Sequence, residues 1–231
     1  MKTLKTKKDD AAQKALAAAV REDFERRRSE RASLERQWDL NLNYLMGNQF
    51  AEINPCGEVC ESEKDYYWQG RDVYNHIAPI IETRTAKLSR VRPIMSVRAS
   101  GEEDGDVKAA KMASALLNST FSRLDMDDVI YKATLWSETL GTAFYKVIWD
   151  KSAGKKMGEV DGETVFEGDV RVIAVPPFEI FPDSLFHEDV RDLKSLIHAK
   201  AMHVDDVFAL YGKRVKGEDV NVFGLDKNQL E

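Results

Sequence analysis

The sequence predicts an α+β protein in which a long N-terminal helix and a helical layer pack on a small, mostly antiparallel sheet. Residues 10–47 contain no proline and no glycine before Gly47, and they are rich in residues that favour helices. Apolar residues with the spacing of one helix face follow at Val129, Ala133, Trp136 and Leu140. The β-branched and aromatic segments 142–150 and 171–175 are typical of two paired strands.

Composition limits the classes of function. The chain has 231 residues, of which 43% are hydrophobic and 32% charged, so a buried core is expected. Its formal net charge is -6, which argues against a protein whose affinity comes mainly from neutralising many phosphates. No apolar run approaches the length of a membrane span, and the basic N-terminus lacks the apolar segment of a signal peptide.

The N-terminal region, residues 1–50, is predicted to form a helical arm. The helix is polar on all sides at first, and an apolar stripe emerges near its end at Leu34, Trp38, Leu42 and Leu45. This pattern predicts a helix that extends into solvent and docks by its C-terminal half. An arginine cluster lies in the polar part, at Arg26, Arg27, Arg28 and Arg31. The favoured interpretation is a solvated face with internal Glu–Arg pairs, and the alternative is contact with nucleic acid or a neighbouring subunit.

Residues 51–212 are predicted to form the α+β core, beginning with a loop that extends to Gly70. Cys56 and Cys60 lie in this loop as CxxxC, without further cysteine or histidine ligands at metal-binding spacing, so no metal or other cofactor is expected. Synthesis in a reducing cytoplasm is the expectation for a chain with two cysteines.

A second helix is predicted over residues 72–90, with Pro79 at its regular start or at a kink. A short strand is predicted to follow at 94–99. The junction is basic, and its cations are candidates for intersubunit or DNA-backbone contacts: Arg84, Lys87, Arg90 and Arg92. The favoured alternative is that these cations pair with acidic residues on a neighbouring segment or subunit.

The rest of the core is predicted to be organised around residues 127–183. A helix over 107–124 leads into a second helix that is capped by Asp127 or Asp128 and ends at Gly141. The strands 142–150 and 171–175 pair across a glycine-rich excursion, with Asp161 and Gly162 as its hairpin turn. The tryptophans Trp38, Trp136 and Trp149 are interpreted as core residues.

The C-terminal part is predicted to hold an extended segment at 178–183, a half-buried strand at 195–202 and a helix at 204–211 that ends at Gly212. Residues 213–231 form a tail with little periodicity.

The sequence contains no recognisable catalytic motif, since phosphate-binding glycine loops, GxSxG and HExxH are all missing. The acidic stretch 183–192 suggests a metal-dependent nuclease that would use Asp183, Glu188 and Asp189, but acidic loops between strands are far more often solvated. A third hypothesis is a small DNA-binding adaptor acting through Arg26, Arg27 and Arg28, with salt-sensitive binding.

Four longer stretches carry more information than composition does. They are residues 38–49 (WDLNLNYLMGNQ), 73–93, 133–149 (ATLWSETLGTAFYKVIW) and 176–183 (PPFEIFPD). All four resemble one protein family, the portal proteins of short-tailed double-stranded DNA phages, and the first is similar to the N-terminal signature of that family. Together the similarity extends over residues 37–212, and it consists of framework patterns without a catalytic motif.

The resemblance implies a structural, non-enzymatic role. Portal proteins of this kind form dodecameric rings at one capsid vertex, where they serve head assembly, DNA packaging, genome ejection and tail attachment. The implied partners are identical subunits, terminase, scaffold, tail or adaptor proteins, and double-stranded DNA that passes without sequence-specific binding. The implied location is the virion, with assembly in the host cytoplasm. The channel-lining helix and clip of the family lie beyond the matched part, so this chain is expected to correspond to the N-terminal, wing-type portion.

Overall fold

The computed structural model describes residues 7–63, 66, 68–91, 95–101, 103–160, 163–187 and 189–217. The helices are α1 (Lys7–Met46), α2 (Ile77–Ser89), α3 (Asp104–Arg123), α4 (Met126–Leu140) and α5 (Val204–Tyr211). The strands are β1 (Ala51–Ile53), β2 (Val59–Glu61), β3 (Phe144–Asp150), β4 (Lys156–Val160), β5 (Glu163–Phe166), β6 (Asp169–Val175), β7 (Ile180–Pro182) and β8 (Leu196–His198). The α+β class is confirmed, and the described strands pair as four separate two-stranded antiparallel sheets.

Contacts between residues divide the chain into two compact units. The first, which we call the arm unit, contains Met1–Tyr44, Asn48–Arg71 and Phe178–Glu231. The second, which we call the ribbon unit, contains Leu45–Gly47 and Asp72–Pro177. The expected boundaries at residues 50 and 212 do not separate these units, because the segment after Pro177 belongs with α1.

Helix α1 confirms the long helix predicted from sequence, and its C-terminal half is docked as expected. Trp38 and Leu42 are buried, and the Trp38 ring packs edge-on against Phe178 with 6.1 Å between ring centroids. Docking begins earlier than predicted, because the Phe24 ring lies 4.6 Å from the Phe181 ring. Leu34, which was assigned to the apolar stripe, is instead exposed. Helix α1 therefore packs on residues 178–181, through contacts that extend from Phe24 to Trp38.

Arg27 attaches α1 to the β7–β8 hairpin by hydrogen bonds to the backbone. Its Nη1 donates to the carbonyl oxygens of Phe181 at 3.0 Å and Ser195 at 3.2 Å. Its Nη2 donates to Ser195 Oγ and to Asp23 Oδ2, both at 2.6 Å. The Arg27 side chain is buried, so these acceptors replace the water that an exposed arginine would bind.

Arg31 makes the second such attachment, one helical turn further along. It donates to the carbonyl oxygens of Ile180 and Phe178 and to the carboxylate of Glu35. Its guanidinium lies 3.7 Å from the centroid of the Phe181 ring. Burial lowers the pKa of the Arg31 guanidinium, and the hydrogen bond to Glu35 opposes that effect. We call Arg27 and Arg31 the arginine clamp; it corrects the sequence interpretation of these two residues as part of a solvated face.

The ribbon unit is built on the predicted combination of a helix and an antiparallel strand pair. Strands β3 and β6 pair over their full length, from Phe144 opposite Val175 to Asp150 opposite Asp169, and we call this pair the β3–β6 ribbon. Helix α4 packs against β6 and against α2. Gly141 ends α4 with a φ of 83°, a conformation that side chains other than glycine rarely adopt. The excursion forms the β4–β5 hairpin, and its expected turn residues Asp161 and Gly162 lie outside the described residues.

Several local predictions are wrong in detail. Residues 95–99 form no strand, because the backbone N–H of Val97 is bound by Ser114 Oγ at 2.8 Å, and Ile94 lies outside the described residues. The loop that carries the cysteines contains the β1–β2 hairpin, whose turn includes Gly57 at a φ of 85°. The N-cap of α4 is Asp125, two residues before Asp127 and three before Asp128, and β8 is only three residues long.

Candidate assembly surfaces

The outer face of the β3–β6 ribbon is a continuous apolar surface. Along β3, every second residue is exposed: Tyr145 to 54%, Val147 to 67% and Trp149 to 59%. Opposite them on β6 lie Ala174, Val172 and Val170, so all six side chains of this face are apolar. The other face, which includes the buried Val175, is the one that α4 covers.

The exposed tryptophan is held in place by a close contact with the turn before β6. A Cβ atom added to Gly168 would lie 2.6 Å from the Trp149 ring, so only glycine leaves room for the ring there. The sequence analysis interpreted both Trp38 and Trp149 as core residues; Trp38 is buried, but Trp149 is exposed. A contiguous patch of exposed apolar side chains of this kind is often functional, unlike single exposed apolar residues.

Many large apolar residues are exposed in the described part of the chain. Among the described residues, ten hydrophobic residues are buried, whereas 34 large hydrophobic residues are exposed. Scattered exposed hydrophobic residues are ordinary on soluble proteins, so the informative feature is the ribbon face, where they adjoin one another.

The basic residues predicted at the end of α2 do not act as one group. Arg84 makes a bidentate pair with Glu138 of α4, at 2.5 Å and 3.2 Å. This hydrogen-bonded pair raises the pKa of Arg84 and lowers the pKa of Glu138. Lys87 and Arg90 are exposed at the end of α2, and Arg92 lies outside the described residues. Arg84 thus has an acidic partner on a neighbouring helix, the favoured alternative from sequence, while Lys87 and Arg90 face solvent.

Of the three arginines proposed for a DNA-binding adaptor, two are exposed and one is buried. Arg26 is exposed and pairs with Asp23 and Glu30 on the same helix, at 2.6 Å and 2.8 Å. Arg28 is also exposed. Arg27 is buried in the arginine clamp, where its donors are used by carbonyl oxygens. A phosphate backbone could therefore reach two of the three side chains but not the central one.

The acidic residues proposed for a nuclease lie in the loop between β7 and β8. Asp183 Oδ2 accepts from the backbone N–H of Lys194 at 3.1 Å, and Asp189 Oδ1 accepts from that of Arg191 at 2.9 Å. Glu188 lies outside the described residues. Within the described part of the chain, no three His, Cys, Asp or Glu side chains are grouped so that they could hold a metal ion. Cys56 and Cys60 are free and exposed.

Sequence reasoning missed both the arginine clamp and the ribbon face. Arg27 and Arg31 were one turn apart on the helix, in line with Phe24 and Trp38, and this alignment was the available signal. The ribbon face was visible as alternation in β3, but both alternating sets of side chains contain apolar residues, so the exposed set was not identified.

None of the helices in the described part of the chain is both long and apolar enough to cross a membrane. Comparison of the chain with protein families, with curated proteins and with solved structures finds no match.

Proposed function

We propose that this chain is a structural subunit of a phage portal ring, corresponding to the N-terminal, wing-type portion of the head-to-tail connector. The observation that carries the proposal is the uncovered apolar face of the β3–β6 ribbon, formed around Tyr145, Val147 and Trp149. Contact with a partner is favourable at such a face because it removes apolar surface from water. The resemblance of residues 37–212 to portal proteins supplies the partner, which is a second copy of the same chain.

The proposed role is mechanical. The ring would stand at the unique capsid vertex of the virion, with terminase, scaffold and tail proteins as partners, and the host cytoplasm would be its place of assembly. The net charge of -6 supports DNA passage rather than DNA retention, because an acidic conduit repels phosphates and lets the duplex slide. The nuclease and adaptor hypotheses have weaker support than the portal hypothesis. Asp183 and Asp189 accept hydrogen bonds from backbone N–H groups, and Arg27 is buried.

The test is the solution mass of the purified chain, measured by light scattering across a concentration series. A ring of twelve chains of 26.2 kDa would have a mass of about 310 kDa. A discrete species of many copies would support self-assembly, and its symmetry could be counted by electron microscopy. A mass of 26.2 kDa at every concentration would contradict the proposal that these residues carry subunit contacts.

A charged substitution locates the contact. Val147→Glu places a carboxylate in the middle of the ribbon face, and we expect it to shift the assembly towards monomers because an unpaired charge would be desolvated there. The matched control is Val165→Glu, on β5 of the other hairpin of the same unit, where the side chain is 41% exposed. Equal effects of the two variants would show that the ribbon face is not the assembly surface.

A further inference from the structure

The ring of Trp149 lies directly on the backbone of the turn that precedes β6. A Cβ atom built on Gly168 would lie 2.6 Å from Cζ2 of the ring and 2.8 Å from Cε2 and Nε1. Atoms that are not bonded to one another do not approach so closely, so the indole fills the space that the side chain of any other residue would take. Trp149 is nevertheless 59% exposed, so its ring is packed on one side and open on the other.

The turn under the ring is paired by backbone hydrogen bonds. The N–H of Gly168 donates to the carbonyl oxygen of Ala153 at 2.9 Å. The N–H of Glu167 donates to the carbonyl oxygen of Lys155, also at 2.9 Å. The ring is thus supported by paired backbone rather than by a side chain that can rotate away. Because one side of the ring is packed in this way, the ring has fewer positions to lose when its open side binds a partner, and binding costs less entropy.

The ring is the largest side chain of a face that carries no charge. All six side chains of the ribbon face are apolar, and Trp149 lies at one end of it. The acidic residues at this end, Asp150 and Asp169, alternate with the ribbon face and so lie on the other side of their strands. They are also hydrogen-bonded within the chain, since Asp169 accepts from Arg123 at 2.8 Å. Asp150 likewise accepts from Ser152 Oγ at 2.6 Å. A partner that packs on the ribbon face therefore buries no unpaired charge of that face.

We propose that Trp149 is the anchor of the contact between copies of this chain, and that Gly168 positions its ring for that contact. Binding energy concentrates in a few residues, tryptophan above all, where neighbouring contacts exclude water. Tyr145 and Val147 supply such neighbours on the same strand. The inference rests on the proposed function, because the partner is a second copy. It goes beyond that function by assigning most of the contact energy to one side chain and the orientation of that side chain to one glycine.

Truncation of the ring tests the anchor. We expect Trp149→Ala to weaken association of the copies at least about thirty-fold, the effect of losing an interface anchor, when association is measured by light scattering over a dilution series. Trp68→Ala is the matched control, because Trp68 is 69% exposed in the arm unit and loses the same ring outside the ribbon face. Circular dichroism checks that both variants keep their secondary structure. Unchanged association in the Trp149 variant, or equal losses in the two variants, would overturn the inference.

A Cβ atom at position 168 tests the positioning. Gly168→Ala places that atom against the ring and displaces it, so association should weaken by about tenfold, the upper end of the cost of ordering one side chain. The substitution also strains the backbone, because the φ of Gly168 is 76°. Gly141→Ala carries similar strain at a φ of 83° but meets no atom within 4 Å, so it should leave association unchanged. Equal effects of the two variants would assign the loss to backbone strain and overturn the positioning role.

The fluorescence of Trp149 reports the position of the ring separately from association. Its emission is the difference between the spectrum of a chain and that of the same chain with Trp149→Phe, recorded at a dilution at which the copies are apart. Gly168→Ala should change this difference spectrum and make it more easily quenched by acrylamide, because the ring leaves the turn. Gly141→Ala should leave both properties as they are in the unmodified chain. A displaced ring with unchanged association would overturn the positioning role.

The outcomes separate this inference from the proposed function. If the unmodified chain forms multimers that Trp149→Ala leaves intact, the inference is wrong while the ring proposal stands. If Trp149→Ala gives monomers but Gly168→Ala assembles normally, the anchor is supported and the positioning role is overturned. A monomer at every concentration of the unmodified chain would contradict the proposed function and this inference together.

Discussion

Replacing Arg31 by methionine tests the arginine clamp. Methionine keeps an apolar stem of similar length but has no donors, so the hydrogen bonds from Arg31 to the buried carbonyl oxygens of Phe178 and Ile180 are lost. Hydrogen bonds to a charged group contribute about 1.5–3 kcal/mol each. Loss of the guanidinium stacked on Phe181 adds about 0.5–2 kcal/mol. Allowing for relaxation around the smaller side chain, we expect the free energy of unfolding of the arm unit to fall by about 3–5 kcal/mol, as when a buried ion pair loses one partner.

The assay is urea unfolding followed by tryptophan fluorescence, together with hydrogen exchange of the backbone amides. Trp38 is buried against Phe178 in the same cluster, so its emission reports on the arm unit. Hydrogen exchange should show reduced protection of the β7–β8 pair in the Arg31 variant, because α1 holds that hairpin through these bonds.

The matched control is Arg26→Met on the same helix. The Arg26 side chain is 51% exposed and pairs with Asp23 and Glu30, so its loss should cost less than about 1 kcal/mol. A loss below about 1 kcal/mol for Arg31→Met, or equal losses for the two variants, would refute the reasoning that buried carbonyl partners make Arg31 different.

Three further predictions concern the ribbon unit. Thr85 is fully buried and its hydroxyl has no hydrogen-bond partner among the described residues, so Thr85→Val should raise the free energy of unfolding by about 1 kcal/mol; a lower melting temperature would contradict this. Gly141→Ala should cost about 1–2 kcal/mol because of its φ of 83°, whereas Gly105→Ala, which meets open space in α3, should be neutral or stabilising when both are measured by urea unfolding. Arg84 lowers the pKa of Glu138, so the stabilising contribution of Glu138 is present above the ordinary glutamate pKa of about 4.3 and is lost as pH falls through the lower folded-state pKa. Glu138→Gln should therefore reduce the dependence of the free energy of unfolding on pH on the acid side. An unchanged dependence would count against the Arg84–Glu138 pair.

The local elements were largely readable from the chain itself. The long helix, the Gly141 end of α4, the pairing of β3 with β6 and the short helix α5 all follow from signals carried by these segments themselves. Periodicity, glycine at a helix end and β-branched segments act through the backbone of the residues that carry them, so they can be interpreted without knowledge of the rest of the fold. The failed strand at 95–99 shows the limit, because a serine on α3 occupies the N–H that a strand partner would have used.

The arginine clamp was decided by tertiary structure alone. Its acceptors at Phe178, Ile180 and Phe181 lie about 150 residues from Arg27 and Arg31 in the sequence. From sequence these arginines and the neighbouring glutamates form a self-sufficient solvated face, and that description remains correct for Arg26. Only the approach of β7 to the helix makes two of the arginines buried donors, because the carbonyl oxygens of that segment then require partners.

The ribbon face was determined partly by the sequence and partly by the tertiary structure. The sequence by itself determined that 142–150 forms a strand with alternating side chains, and therefore that one face would be covered and the other open. Both alternating sets contain large apolar residues, with Phe144 and Ile148 in one and Val147 and Trp149 in the other, so hydrophobicity did not distinguish them. The packing of α4 chose the covered face and left Trp149 exposed, because a single helix can cover only one side of a two-stranded sheet.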